Sequence, residues 1–273
     1  MSPSRVRIAF VVMRLAACVC LVIACGVFAP VVAGPLEDCE TAYLAGDLAA
    51  SRGAAEAALA AAPADAAAHW MLARVLIDLG NRETARPARE ALYTEAEKQA
   101  RRASELQPAG TWGHHYLAAS LGKLALSAGG KRKIQLSKEV RDEANRAVEL
   151  DPRNDRSLHI LGRWNREIAN LSPFLKLAAK VVYGGVPEGA SNAQAVALFQ
   201  RAMAIDPTRL SHRLELGVTW LEMDRAQEAI PLFQSVLDLP AREPNDGDYK
   251  AQAAKLLPKA QRLAKESPRD VSR

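Results

Sequence analysis

The strongest constraint on this chain is a string that recurs along it, in which a helix-forming segment ends at a polar or acidic residue followed by proline. A small residue stands a few positions ahead of the proline, where a helix packs closely on a neighbour, and the proline then stops the helix and starts a turn. Four clear instances and a looser fifth that ends at Pro240 occupy residues 58–63, 103–108, 147–152, 202–207 and 236–240. We therefore predict a series of helical hairpins.

The composition favours the same fold class. The chain is rich in Ala, Leu, Glu, Arg and Lys, which are strong helix formers, and only 5% of its residues are aromatic. Its 49% hydrophobic content is too high for a disordered chain and its 25% charged content too high for a polytopic membrane protein. The sequence thus predicts an all-α protein in which strands are rare or absent.

The recurring units resemble the tetratricopeptide repeat (TPR), a helix–turn–helix of about 34 residues that ends in Ala, a few further residues and Pro. The resemblance is clearest over residues 210–240. There Leu216 and Gly217 form the Leu–Gly pair expected where two helices approach closely, and Trp220 is the large residue that follows it. Ala229 and Phe233 are the packing residues of the second helix. Asp224 lies in the expected turn. Because each hairpin buries its apolar stripe against the next, the resemblance implies a solenoid.

Longer spacings between the other prolines indicate insertions within this solenoid. Pro87 suits the first turn of a long helix running to about Gln107, and Gly129-Gly130 predicts a loop before a helix from about 133 to 150. The largest insert, residues 171–191, carries an amphipathic helix over about 173–183. We expect five to six hairpins with this inserted helix packed on them.

A closer resemblance rests on the string His-Ile-Leu-Gly-Arg-Trp at 159–164, followed by Leu-Ser-Pro-Phe at 171–174. Together with strings at 69–74, 131–134 and 147–152, it resembles the regulator of microtubule dynamics family over about residues 36–265. That resemblance implies a TPR-like adaptor that binds other proteins and has no agreed catalytic residues.

The first 33 residues predict a targeting segment. A basic start is followed by an apolar run and a small-residue site ahead of Gly34, which is typical of a secretory signal peptide. Two alternatives remain open, an uncleaved membrane anchor through residues 15–33 and lipidation of Cys25. All three predict an exported chain, periplasmic or secreted, or one anchored to a membrane. The repeat domain then spans 34–265, and 266–273 form a flexible C-terminal tail.

Other function classes find little support in the sequence. Part of the net charge of +5 comes from Arg5, Arg7 and Arg14, so the repeat domain is nearly neutral and no nucleic-acid partner is expected. Motifs of zinc peptidases, serine hydrolases, phosphate-binding loops and dinucleotide-binding folds are missing from the sequence. We expect no catalytic residue, cofactor or metal site, and we interpret His69 and His114 as half-buried packing residues and Cys39 as a small apolar one.

The first helix of each hairpin lines the concave side of such an array, and its inward positions collect Arg and aromatic side chains. The candidate groove residues are Trp70, Arg74, Trp112, His115, Arg156, His159, Arg163 and Arg166. We predict a non-catalytic scaffold that binds a peptide or protein segment there. The alternatives are a solvated helix face paired with neighbouring acids, and a structural or assembly factor of the cell envelope that acts through self-association or helix 173–183.

Overall fold

The computed structural model describes residues 34–266, except for 173–175, 178–179, 182–184 and 186–188. The predicted leader and anchor, Cys25 and nearly all of the predicted tail lie outside the described residues. Most of the inserted helix predicted over 173–183 lies outside them too.

In this part of the chain the fold is entirely helical, as predicted. The eleven helices are α1 (Pro35–Leu44), α2 (Leu48–Ala61), α3 (Ala66–Arg82), α4 (Arg86–Leu106), α5 (Thr111–Ser127), α6 (Gly130–Leu150), α7 (Asp155–Ala169), α8 (Asn192–Ile205), α9 (Leu210–Glu222), α10 (Ala226–Asp238) and α11 (Asp246–Glu266). None of the helices within the described ranges combines the length and the hydropathy needed to cross a bilayer.

The helices form five antiparallel hairpins, α1–α2 through α9–α10, followed by α11. Each hairpin packs on the next, and the first helices contact one another in the order α1, α3, α5, α7, α9 and α11. We call the surface formed by α3, α5, α7, α9 and α11 the inner face. The stacking agrees with the predicted solenoid of five to six hairpins.

The proline turns end the helices as the recurring string predicts. Ala103, Ala147 and Ala202 are at most 1% exposed, and the carbonyl of each accepts the backbone N–H of the residue that caps its helix. Asn154 then caps α7, and Asp65 caps α3 after the turn at Pro63, each accepting a backbone N–H at 2.8–2.9 Å. The first helical residues of α5 and α9 have no such side-chain cap, so the helix ends recur more regularly than the helix starts.

Glycine permits the closest helix contacts. A Cβ on Gly162 would lie 2.7 Å from the Phe199 ring, and one on Gly217 would lie 2.7 Å from Phe233. The predicted Leu–Gly pairs thus stand where two helices of a hairpin meet.

One predicted boundary differs from the structure. The helix expected to begin near Lys133 begins at Gly130 and takes in two further basic residues. The N–H of Lys133 bonds to the carbonyl of Gly129 at 3.3 Å, so the helical hydrogen bonds start one turn earlier. Gly130 tolerates the positive φ of 46° that this start requires.

Candidate binding site on the inner face

An aromatic cluster, defined as Trp70, Trp112, His115 and Tyr116, occupies the inner face at α3 and α5. The Trp70 and Tyr116 rings stack with centroids 5.7 Å apart at 7°, and Trp112 lies 5.7 Å from Trp70. Both tryptophans are half-buried, and a cavity of about 250 Å³ beside them is lined by Gln107 and Gly110 among others. Stacked, partly exposed tryptophans offer apolar surface to a partner.

His115 is a buried member of this cluster. Its Nδ1 lies 3.0 Å from Ser157 Oγ on α7. Burial, and next the charge of Arg156, lower the pKa of His115 to about 3. The imidazole is therefore neutral at physiological pH and ties α5 to α7.

The Arg74 side chain is engaged in contacts within the chain itself. It is 8% exposed, donates to Glu40 on α1, and lies 3.8 Å above the centre of the Tyr43 ring. Tyr43 in turn donates to Asp78 at 2.6 Å. The guanidinium thus joins α1 to α3 and offers little surface to a partner.

Further along the inner face lies an arginine network, which we define as Asp155, Arg156, Arg209, His212 and Glu243. Arg209 Nε donates to Asp155 at 2.5 Å, and both arginines donate to the carboxylate of Glu243. His212 Nε2 lies 2.9 Å from Asp155. Burial raises the pKa of Asp155, but the hydrogen bond from His212 and the charge of Arg209 outweigh it and lower that pKa.

His159 joins the network through a second imidazole. Its Nδ1 lies 3.0 Å from Nδ1 of His212, and its ring packs edge-on against Phe199 at 5.5 Å. Burial, and next the charge of His212, lower the pKa of His159 well below its ordinary value. This pair links α7 to α9.

A separate group of charges joins α5, α7 and α9. Arg166 donates to Glu215 at 2.5 Å, and Arg163 lies 3.6 Å from the same carboxylate. The side chain of Arg163 is 38% exposed, whereas that of Arg166 is 5% exposed. Burial, and next the charge of Arg163, lower the pKa of Lys123 to about 8. Glu215 thus pairs with Arg166 and Arg163, and the charge of nearby Lys123 also acts on it.

The predicted groove residues fall into two groups instead of one continuous wall. Trp70, Trp112 and Arg163 keep exposed surface, whereas Arg74, His115 and Arg166 are buried. Arg156 and His159 are partly exposed but are held by Glu243 and His212. Pairing with neighbouring acids, the alternative given for this face, is seen for Arg156, Arg163 and Arg166.

Sequence reasoning missed several inner-face residues. Lys123 lies one helical turn after the inward-facing Ala119 of α5, and Asp78 lies one turn after Arg74 of α3. Continuing the pattern of inward positions by one turn would therefore have identified both residues. Glu243 lies in the connection between α10 and α11, where no helical register applies. Within the described residues no set of three or more His, Cys, Asp or Glu side chains is arranged to hold a metal ion.

Comparison with known proteins gives a family for this arrangement. The model of the family described as "Regulator of microtubule dynamics protein 1-3" matches residues 39–261. The chain belongs to this family. Regulator of microtubule dynamics protein 1 from Bos taurus is 29% identical over 195 residues, which cover 71% of this chain and 61% of the relative. The Caenorhabditis elegans protein of the same name is 26% identical, over 70% of this chain and 83% of the relative.

The described fold also matches a solved TPR structure. The crystal structure of TTC0263, a thermophilic TPR protein of Thermus thermophilus, superposes with a TM-score of 0.60 and 20% identity, covering 82% of this chain and 97% of that one. This likeness establishes the TPR-like fold. It confirms, together with the family match, the predicted resemblance to both TPR proteins and the regulator of microtubule dynamics family.

Membership of this family corrects the predicted location. The leader pattern led to an exported, periplasmic or secreted chain, with membrane anchoring as the alternative. That prediction is wrong, because the relatives are regulators of microtubule dynamics and microtubules are polymers of the cell interior. A basic start and an apolar run are a compositional signal, which does not by itself determine where a chain resides.

Proposed function

We propose that this member of the regulator of microtubule dynamics family is a non-catalytic adaptor that binds a peptide or protein segment along its inner face. The TPR-like fold supports a role in protein–protein interaction. The observation that carries the proposal is that half-exposed Trp70 and Trp112 share this face with the cations Lys123 and Arg163. Apolar anchors beside charged groups are typical of a recognition surface.

The chemistry of the inner face defines the segment that fits. The cavity beside the two tryptophans takes an apolar side chain, because burial there removes apolar area from water. Lys123 and Arg163 take a carboxylate, which stabilises the charged form of a lysine whose pKa burial has lowered. A segment with one apolar and one acidic side chain therefore satisfies both parts.

Selection from a displayed random-peptide library on the full chain tests the proposal. We expect the selected peptides to bind about tenfold more weakly to the double variant Lys123→Gln and Arg163→Gln, because a charge-assisted pair is lost. The matched control is Arg102→Gln with Arg146→Gln, which removes two exposed charges from α4 and α6. Equal binding by both double variants, or no peptide selected at all, contradicts inner-face binding.

Self-association is a second candidate function. Leu177 and Val181, four residues apart within the insert, are 61% and 78% exposed. Exposed apolar side chains of this size are suited to contact a second copy. Sedimentation of the full chain at rising concentration should then show an oligomer, and the double variant Leu177→Asp with Val181→Asp should dissociate it. A monomer at every concentration would contradict self-association.

A further inference from the structure

A non-helical connection reaches from the end of the array back to its second hairpin. We call residues 240–245, between α10 and α11, the strap. Its Glu243 accepts from Arg156 and Arg209, its Pro244 carbonyl lies 3.4 Å from Arg82 Nη2, and its Asn245 Nδ2 donates to Asp78 at 2.7 Å. Arg82 and Asp78 lie on α3, whereas Arg156 lies in the first turn of α7 and Arg209 precedes α9. The strap therefore crosses the inner face.

Asp246 holds the strap in this shape. Its side chain is buried, and Oδ2 accepts the backbone N–H groups of Arg242 and Glu243 at 2.7 and 2.9 Å. The carboxylate of Glu243 is thereby presented to both guanidinium groups from a fixed backbone.

Glu243 fills a place where two partly buried arginines favour a carboxylate. The side chains of Arg156 and Arg209 are 25% and 13% exposed, so both cations have lost part of their hydration. Arg209 also pairs with Asp155 and Asp206, whereas within the described residues Arg156 pairs with Glu243 alone. Without Glu243 the partly desolvated Arg156 loses its ion pair, and another carboxylate gains the same charge-assisted hydrogen bonds.

We propose that the strap is an internal competitor, in which Glu243 occupies the position of a carboxylate from an acidic partner peptide. This inference rests on the proposed function and names the partner's chemistry. A tethered carboxylate acts at a high effective concentration. The apparent affinity for an acidic peptide is therefore lowered in proportion to the fraction of molecules whose strap is open.

The first experiment measures binding of a fluorescein-labelled oligoglutamate peptide to the full chain by fluorescence anisotropy. We expect Glu243→Gln to bind it about tenfold more tightly, because the competitor has lost its charge. Asp248→Asn is the matched control, since it removes one exposed negative charge just beyond the strap and should change the affinity less than about twofold.

A second variant covers the case in which Glu243→Gln unfolds. Asn245→Ala removes the bond to Asp78 and leaves Glu243 and both arginines in place. It should raise backbone hydrogen–deuterium exchange in residues 240–245 and tighten oligoglutamate binding by a few fold.

The outcomes separate this inference from the proposed function. Tighter binding by both variants, with faster exchange in the strap, supports the internal competitor. Equal binding by wild type, Glu243→Gln and Asn245→Ala overturns it. Failure of every folded variant to bind oligoglutamate overturns the proposal that the partner peptide is acidic. The random-peptide selection decides independently whether the inner face binds peptides at all, because its library does not presuppose acidic side chains.

Discussion

At the scale of single residues, the inner face is built mainly of side chains that hold one another. Arg74, His115 and Arg166 were predictable as inward-facing residues from the helical register. Their partners were not, because Glu40, Ser157 and Glu215 come from different hairpins, and only the stacking of those hairpins sets the distances. The packing glycines were predictable because a Leu–Gly pair recurs at the same place in two units.

Gly217→Ala should destabilise the fold by about 1–3 kcal/mol, because the new Cβ would lie 2.7 Å from the Phe233 ring. Urea unfolding monitored by circular dichroism measures the change. Gly53→Ala, in the exposed middle of α2 with no atom within 4 Å of the added Cβ, is the control and should stabilise by up to about 1 kcal/mol. A neutral Gly217→Ala would show that the helices do not meet as described.

Acid should destabilise the chain through His115. Its pKa is about 3 when folded and 6.5 ordinarily, so between these values the unfolded state binds the extra proton. The free energy of unfolding therefore falls by about 1.4 kcal/mol per pH unit from this residue as the pH drops below about 6.5. Thermal unfolding from pH 7 to 5 should show a shallower decline in His115→Gln than in wild type. Parallel declines would contradict a buried neutral imidazole.

At the scale of helices, two histidines each connect a proline turn to the two helices of the hairpin that follows it. We call this contact the histidine staple. His69 lies 2.6 Å from Gln99 and 3.1 Å from the Pro63 carbonyl, and His114 lies 2.6 Å from Glu143 and 3.1 Å from the Pro108 carbonyl. The sequence predicted both histidines as half-buried packing residues. The sequence did not predict their hydrogen bonds, because no local pattern marks a partner about 30 residues away.

The staple predicts which substitutions of Glu143 are tolerated. Glu143→Gln should change stability by less than about 0.5 kcal/mol, because Gln99 fills the same role opposite His69. Glu143→Leu should cost about 1 kcal/mol, because it leaves a ring nitrogen of His114 without its partner. Denaturant unfolding compares the two. Equal losses of stability in Glu143→Gln and Glu143→Leu would show that the hydrogen bond to His114 does not stabilise the hairpin.

At the scale of the whole molecule, the sequence was sufficient for the all-α class, the hairpin order and the family, because each depends on local periodicity and recurring strings. It did not reveal that the strap returns to α3, because that contact depends on how far the stacked hairpins curve. The inner face consequently carries an aromatic cluster, a group of cations and a strap that joins α3 to the arginine network. A partner segment bound there would contact several hairpins at once.

Hydrogen–deuterium exchange of the full chain, with and without a selected peptide, tests inner-face binding most directly. Binding should slow exchange in α3, α5 and α7, which carry Trp70, Trp112 and Arg163, and leave α6 and the first turns of α4 nearly unchanged. Protection confined to α4 and α6, or none despite saturating peptide, would place binding away from the inner face and contradict the proposed adaptor mechanism.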